Sequence, residues 1–143
     1  MLKGRFGNTS TAPYLEGQLV IPRLAVKGLI SFLVDTGADE ALIMPADGLR
    51  LGIDYARLHP PQIYTGIGGD TKIHSELALV TFSEARFVYT YNVKIGLSAA
   101  LSDLMRAPSL LGRDIINRWR MTYDPKRGVV NFKVASADFT HKI

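Results

Sequence analysis

The chain has no cysteine among its 143 residues, which excludes disulfides, thiol nucleophiles and sulfur-ligated zinc together. No apolar run approaches the length of a membrane span, and the opening residues, Met1–Asn8, lack the apolar stretch of a secretory signal. A soluble, cytoplasmic protein with no membrane contact is the expectation. Blocks of like charge are also missing. Seventeen basic and thirteen acidic residues are scattered, with short groupings only around Arg113–Arg120 and at Lys126 and Arg127. The net charge of +4 therefore reads as a mildly basic surface, with no nucleic acid as partner. Three histidines, His59, His74 and His141, come without G-x-S-x-G, HExxH or paired metal ligands. A Ser–His–Asp hydrolase has little support, and no metal or other cofactor is expected.

What is present suits one folded domain: 47% hydrophobic residues with moderate charge in a chain long enough for an ordinary core. Residues 1–14, polar and ending near Pro13, read as a flexible arm, 15–134 as the domain and 135–143 as a tail. Gln18–Val26 is extended, and Lys27–Gly28 is a plausible tight turn into Leu29–Val34. Met44–Gly52, with an early proline and a late glycine, predicts one or two helical turns. Ile63–Ile73 has β-type flanks around a glycine-dense tip, the pattern of a mobile hairpin. A phosphate loop fails there on spacing, because Thr71 stands where GxGxxG needs its last glycine. Phe87, Tyr89, Tyr91, Val93 and Ile95 fall on one face and Val88, Thr90, Asn92 and Lys94 on the other, as in a half-buried antiparallel strand. After Pro108 a short apolar strand meets Gly112 and a helix begins, with Ile115, Ile116 and Trp119 on one face and Asp114 and Arg118 at i,i+4 spacing. Met121–Val134 reads as a final hairpin turning at Asp124–Gly128. The sum is an all-β fold with minor helix.

The stretch from Phe32 to Ile43 stands out. An apolar run ends at Asp35, a small polar loop follows, and a second apolar run leaves. Apolar walls disfavour a charged carboxylate unless something compensates, so Asp35 is a candidate acid or base.

Three motifs carry a resemblance. Leu33-Val34-Asp35-Thr36-Gly37-Ala38-Asp39 resembles the active-site loop of retroviral-type aspartic proteases, the retropepsins. Thr65-Gly66-Ile67-Gly68-Gly69 resembles their flap tip, and Leu110-Leu111-Gly112-Arg113-Asp114 resembles their C-terminal strand-and-helix signature. The motifs occur in the family's order and cover most of the chain, roughly Gln18 to Phe132. The resemblance implies a closed or partly open β-barrel of the acid-protease type with one short C-terminal helix. It also implies an aspartic endopeptidase acting on peptide or protein substrates. That chemistry needs two carboxylates sharing a proton, because like charges so close cannot both ionise. One Asp-Thr-Gly per chain therefore implies a homodimer with Asp35 beside its symmetry mate. The same groove could alternatively serve a non-catalytic peptide-binding or dimerisation module.

The resemblance also distributes roles. Asp35, Thr36 and Gly37 form the catalytic loop, with Thr36 reaching across the two-fold axis and Gly37 leaving room for the substrate backbone. Leu33, Ala38, Asp39, Gly66, Ile67, Gly68 and Leu110 contact substrate, Ile67 through its backbone N–H and a water. Gly112 and Arg113 support the site, Arg113 by pairing with Asp39. Read from the residues alone, Leu33 and Leu110 could equally be core and the Asp39–Arg113 pair purely structural. Pepsin-like enzymes place Ser or Thr after the glycine, donating a hydrogen bond that favours the ionised pair; Ala38 lacks that donor. The expected working range is therefore less acidic than pepsin's. A pH–rate profile peaking below about pH 3, beneath the ordinary Asp range, overturns this.

Overall fold

The computed structural model describes residues 1–66, 69–99 and 104–143. Two short strands come first, Leu2–Lys3 (β1) and Arg5–Phe6 (β2). Pro13–Ile21 (β3) and Val26–Val34 (β4) form an antiparallel hairpin. Leu42–Ile43 (β5) and the helix Pro45–Arg50 (α1) follow. Gln62–Gly66 (β6), Gly69–Ser83 (β7) and Phe87–Ser98 (β8) run as an antiparallel meander. Leu110–Leu111 (β9) leads into Arg113–Ile116 (α2). Trp119–Asp124 (β10), Val129–Val134 (β11) and Phe139–Lys142 (β12) come last.

Hydrogen bonding carries the sheet from β8 through β5, β9, β4, β3 and β7 and back to β8, closing a ring of strands. Closure removes the edges that an open sheet would present. Alternate residues of β4, Ile30, Phe32 and Val34, point into the ring and are buried, as are Leu15, Leu19 and Ile21 of β3. A second sheet, ordered β1-β11-β10, packs on the barrel. At the join lies an aromatic cluster: Trp119 is 4.9 Å from Phe82, 5.2 Å from Phe132 and 5.8 Å from Tyr91, ring centre to ring centre. The Trp119 indole N–H donates to the Tyr91 hydroxyl at 2.6 Å, and that hydroxyl donates to the Ser136 carbonyl at 2.9 Å. Every polar atom of the cluster is thus satisfied, as a buried Tyr–Trp pair requires. The architecture is the all-β barrel with short helices that the sequence predicts. Among the described residues no helix is long and apolar enough to cross a membrane.

Four local expectations change. The β3–β4 turn lies at Pro22–Ala25, not at Lys27–Gly28: Pro22 opens a 3-10 turn and Ala25 adopts φ 53°. Lys27 and Gly28 are paired inside β4 with Val20 and Leu19, and Leu51 fills the space a side chain at Gly28 would need. The segment expected as an arm is stapled down, with Leu2 buried and β1 paired to β11. The segment expected as a tail carries β12, which pairs with β8. The helix after Gly112 stops at Ile116, because the Arg118 carbonyl accepts hydrogen bonds from Ala135 and Ser136 N–H and the chain turns into β10. Trp119 is buried beside Ile115 and Ile116 as predicted, but from a strand.

Two buried polar groups give predictions. Glu76 is 4% exposed and is gripped by Arg23, whose Nε lies 3.0 Å from Oε1. The Arg23 guanidinium holds this carboxyl below its ordinary range against the opposing effect of burial. A group whose pKa is lower folded than unfolded stabilises the fold above its unfolded value, and that stability is lost as pH falls through the folded value. The melting temperature is therefore expected to drop as pH falls from about 4.5, the ordinary Glu range. Glu76→Gln should flatten that acid limb in a pH series of melting curves. The second group is the Tyr55 hydroxyl, which is buried against Gly48 without a hydrogen-bond partner among the described residues. Tyr55→Phe is expected to raise stability by about 1 kcal/mol, since it removes a desolvated, unsatisfied group. Urea unfolding checks this, and a loss of stability would mean that the hydroxyl has a partner in solution.

Candidate active site

Asp35 follows the last residue of β4, at the head of a loop that returns through Ala41 into β5. The two-residue β9 inserts between the strands that enter and leave this loop. Leu33 and Val34 pair with Leu110 and Leu111 in parallel, while Leu42 pairs with Leu110 in antiparallel fashion. The backbone N–H of Asp35 donates to the Leu111 carbonyl at 3.0 Å, and Leu33 N–H donates to Ser109 at 2.8 Å. Both sides of the loop are thus pinned to one short segment.

Within the loop, Ala38 N–H donates to the Asp35 carbonyl at 3.2 Å, closing a turn. Gly37 N–H donates to Asp35 Oδ1 at 2.9 Å, which fixes the orientation of the carboxylate. Asp35 is half-buried, Thr36 and Gly37 are exposed, and Ala38 is half-buried.

Arg113 holds the loop from below. Its Nη1 donates to the Thr36 carbonyl at 2.7 Å, its Nη2 pairs with the Asp39 carboxylate, and its backbone N–H donates to Ala38 O at 2.8 Å. This planar fork meets two acceptors at once through two nitrogens in a fixed geometry, which a lysine's single ammonium does not reproduce. Gly112 makes the approach possible. A Cβ there would lie 2.4 Å from the Glu40 carbonyl carbon and 2.9 Å from Ala41 N. Asp114 completes the clamp, its two carboxylate oxygens each 3.2 Å from Ala41 N–H. Burial pushes the Asp114 carboxyl above its usual range, although the N–H groups of Ala41 and Ile115 favour the charged form.

The sequence-predicted residues fall into place unevenly. Asp35, Thr36, Gly37, Ala38, Asp39, Gly112 and Arg113 form one connected unit. Leu33 and Leu110 are half-buried and lie outside the core cluster, so they are not core residues; Leu33 faces away from Phe32 and Val34. Gly66 ends β6, opposite Gly69 at the start of β7, and Thr65 Oγ1 donates across the hairpin to Asp70 Oδ1 at 2.8 Å. Ile67 and Gly68 lie outside the described residues. Asp114 does not pair with Arg118, which instead reaches Asp138 at 2.7 Å.

Two support residues escaped the sequence reading. The spacing of Asp114 suggests only a partner in Arg118, and its cap on Ala41 spans 73 positions that no local pattern reveals. Ser109 is fully buried, accepts from Met44 N–H at 2.9 Å and donates to Asp47 at 2.6 Å, tying β9 to α1. A serine just before an apolar strand gives no signal of that.

A cavity of about 230 Å³ opens beside the loop, lined by Asp39, Glu40, Leu42, Tyr64 and Ile73 among others. A larger hollow of about 850 Å³, lined by Arg23, His59, Glu76 and Leu77 among others, lies at the Pro22 end of the β3–β4 hairpin. Asp35 is at the other end, so the smaller cavity is the one associated with the carboxylate.

Comparisons with known proteins agree with this geometry. The family model described as "Aspartyl protease" matches residues 26–115. No curated protein sequence matches the chain. Among solved structures, a retropepsin-like aspartic protease from Rickettsia conorii superposes with a TM-score of 0.58 at 19% identity, over 91% of this chain and 95% of that one. EIAV protease, in complex with the inhibitor HBY-793, superposes with a TM-score of 0.53 at 20% identity, over 78% of this chain and 90% of that one. At these identities the likeness is one of fold.

Proposed function

The chain belongs to the aspartyl protease family, and from that membership we propose that it is an endopeptidase whose site is completed by a second copy of itself. The observation that carries this reading is the Asp35 loop. A single carboxylate is held by Gly37 N–H on a loop that is pinned through its backbone to Leu111 and clamped by Arg113 at Thr36 and Asp39, and each chain supplies only one such loop.

In the dimer the two Asp35 carboxylates share one proton. The ionised member takes a proton from a water molecule as the water oxygen attacks the scissile carbonyl carbon. The protonated member gives its proton to the carbonyl oxygen, so charge does not accumulate in the tetrahedral intermediate. Collapse of that intermediate breaks the C–N bond, with the proton delivered to the leaving amine, and the pair regains its single shared proton.

Thr36 reaches across the two-fold axis, and Gly37 and Asp39 meet the substrate main chain. Leu33 and Leu110 flank the carboxylate with apolar surface, and the cavity beside Glu40 and Tyr64 receives a substrate side chain. The β6–β7 hairpin acts as a flap over the groove, and Gly66, Ile67 and Gly68 contact substrate. Arg113 and Gly112 position the loop without touching substrate.

A site shared between two chains makes specific activity depend on protein concentration. With a peptide mixture as substrate, turnover per chain is expected to fall on dilution in step with the dimer fraction measured by sedimentation. Constant turnover per chain in a dilute, monomeric sample overturns the shared site. A well-formed dimer that cleaves nothing between about pH 3 and 8 would favour the peptide-binding alternative.

A further inference from the structure

We propose that the hollow at the Pro22 end of the barrel is a second binding site, for an aliphatic carboxylate whose chain lies on Leu77 and Leu79 and whose head meets Lys94. The hollow arises from a gap in the ladder. β6 pairs with β7 only as far as Ile73, and β3 pairs with it only from Leu79. Between those points, among the described residues, β7 has no strand partner on that side. β3 stops at Ile21, because Pro22 has no N–H to donate and opens the 3-10 turn instead. Arg23 spans the gap. It pairs with Glu76 of β7 and donates from Nη2 to the Arg57 carbonyl at 2.8 Å, while its own carbonyl accepts from Arg57 Nη2 at 3.3 Å. These contacts tie the 3-10 turn to the loop before β6 and fix two walls of the hollow. Its volume, about 850 Å³, falls within the range of small-ligand sites, about 300–1,000 Å³.

Period-two burial sets the floor. Glu76, Ala78 and Val80 are buried, so Leu77 and Leu79 lie on the opposite, outer face of β7. Leu77 is 75% exposed, the most of any large hydrophobic side chain among the described residues. On β8, Lys94 stands opposite Leu77 and Asn92 opposite Leu79, which places both on that outer face. Pro22 and Val93 extend the apolar lining. Among the described residues no Phe, Tyr or Trp lines the hollow, so its walls suit a flexible aliphatic chain better than a flat ring.

Charge selects the head group. Among the described residues Glu76 is the one acid in the lining, and Arg23 neutralises it. Lys94 is exposed at the hollow and joins no ion pair among the described residues. His59, with Nε2 4.0 Å from Glu76, adds positive charge when protonated. The local balance is therefore positive, which favours an anion and disfavours a cationic amphiphile.

The hollow shares no lining residue with the cavity beside the Asp35 loop, so this site stands or falls apart from the proteolytic reading. Decanoate is the probe, titrated into the whole chain and followed by amide NMR spectra. Saturable shifts are expected at Ser75–Leu79 and Asn92–Lys94, and none at Asp35–Leu42. Acetate, which keeps the head and lacks the chain, should give none at either place. Leu77→Asn should weaken decanoate binding about tenfold by removing apolar contact. At 75% exposure this change leaves the core intact. Lys94→Met keeps an apolar stem and removes the charge, so it should weaken decanoate about fivefold and leave decanol binding unchanged.

Shifts centred on the Asp35 loop overturn the proposal, as does equal decanoate binding by wild type and both variants. The absence of a saturable shift at about 1 mM decanoate does the same. Equally tight binding of decyltrimethylammonium would reduce the site to an unselective apolar surface. Pelleting with phosphatidylglycerol vesicles in a protein that ignores decanoate would give this face to a membrane and remove the carboxylate site.

Discussion

Asp35→Asn is expected to lower kcat/KM for peptide hydrolysis by about 10^4-fold or more, because it removes both the general base and the general acid from the dimer. The fold should survive. Gly37 N–H can still find the amide oxygen of Asn, and the Arg113 clamp is made to Thr36 and Asp39 rather than to the Asp35 side chain. A circular dichroism spectrum and a sedimentation profile like the wild type's should accompany the lost activity. A sharper form of the experiment mixes the variant with wild type. If the two exchange freely, only dimers with two Asp35 carboxylates turn over, so activity should follow the square of the wild-type fraction. A linear dependence would mean that each chain works alone, and unchanged activity in the pure variant would eliminate the aspartic mechanism.

Gly112→Ala is expected to destabilise the protein by about 3 kcal/mol, the upper end of what one added methyl costs in a packed interior. The added carbon would meet backbone on every near side, the carbonyl of Glu40 and the nitrogen of Ala41. No rotamer change can relieve such a clash. The loop must instead move away from α2, lengthening the bonds from Arg113 N–H to Ala38 and from Ala41 N–H to Asp114. Activity should therefore fall even at temperatures where the variant remains folded. The urea midpoint measures the stability, and a shift equivalent to less than about 0.5 kcal/mol would show that the Gly112 approach is not tight in solution.

The legible parts of this chain are those in which chemistry forces residues to be neighbours in sequence. Asp35, Thr36 and Gly37 must be contiguous to make the loop, and Leu110–Arg113 must be contiguous to pass between its two sides and clamp it. Period-two burial in β8 is visible because Tyr91 and Ile95 face inward while Asn92 and Lys94 do not. Long-range pairing was not visible. Nothing in Leu2–Lys3 announces a partner at Asn131–Phe132, and nothing in Phe139–Lys142 announces one at Phe87–Thr90. The helix after Gly112 ends earlier than its sequence suggests for a similar reason. Its residues would tolerate further turns, but Ala135 and Ser136 draw the Arg118 carbonyl into another set of hydrogen bonds. Gly28 suggests a bend, but the β3–β4 turn lies earlier, at Pro22–Ala25, and Gly28 makes room for Leu51.

Trp119 is the chain's one tryptophan, and the residue is 6% exposed. It is also the first residue of β10 and rests on Phe82, Tyr91 and Phe132. All tryptophan emission from this protein consequently originates at the junction between barrel and outer sheet. Native emission should be blue-shifted and poorly quenched by iodide, and it should move to longer wavelength when the junction parts. Excitation near 295 nm, where tyrosine scarcely absorbs, thus makes the indole a label-free optical gauge of whether the outer sheet is seated on the barrel.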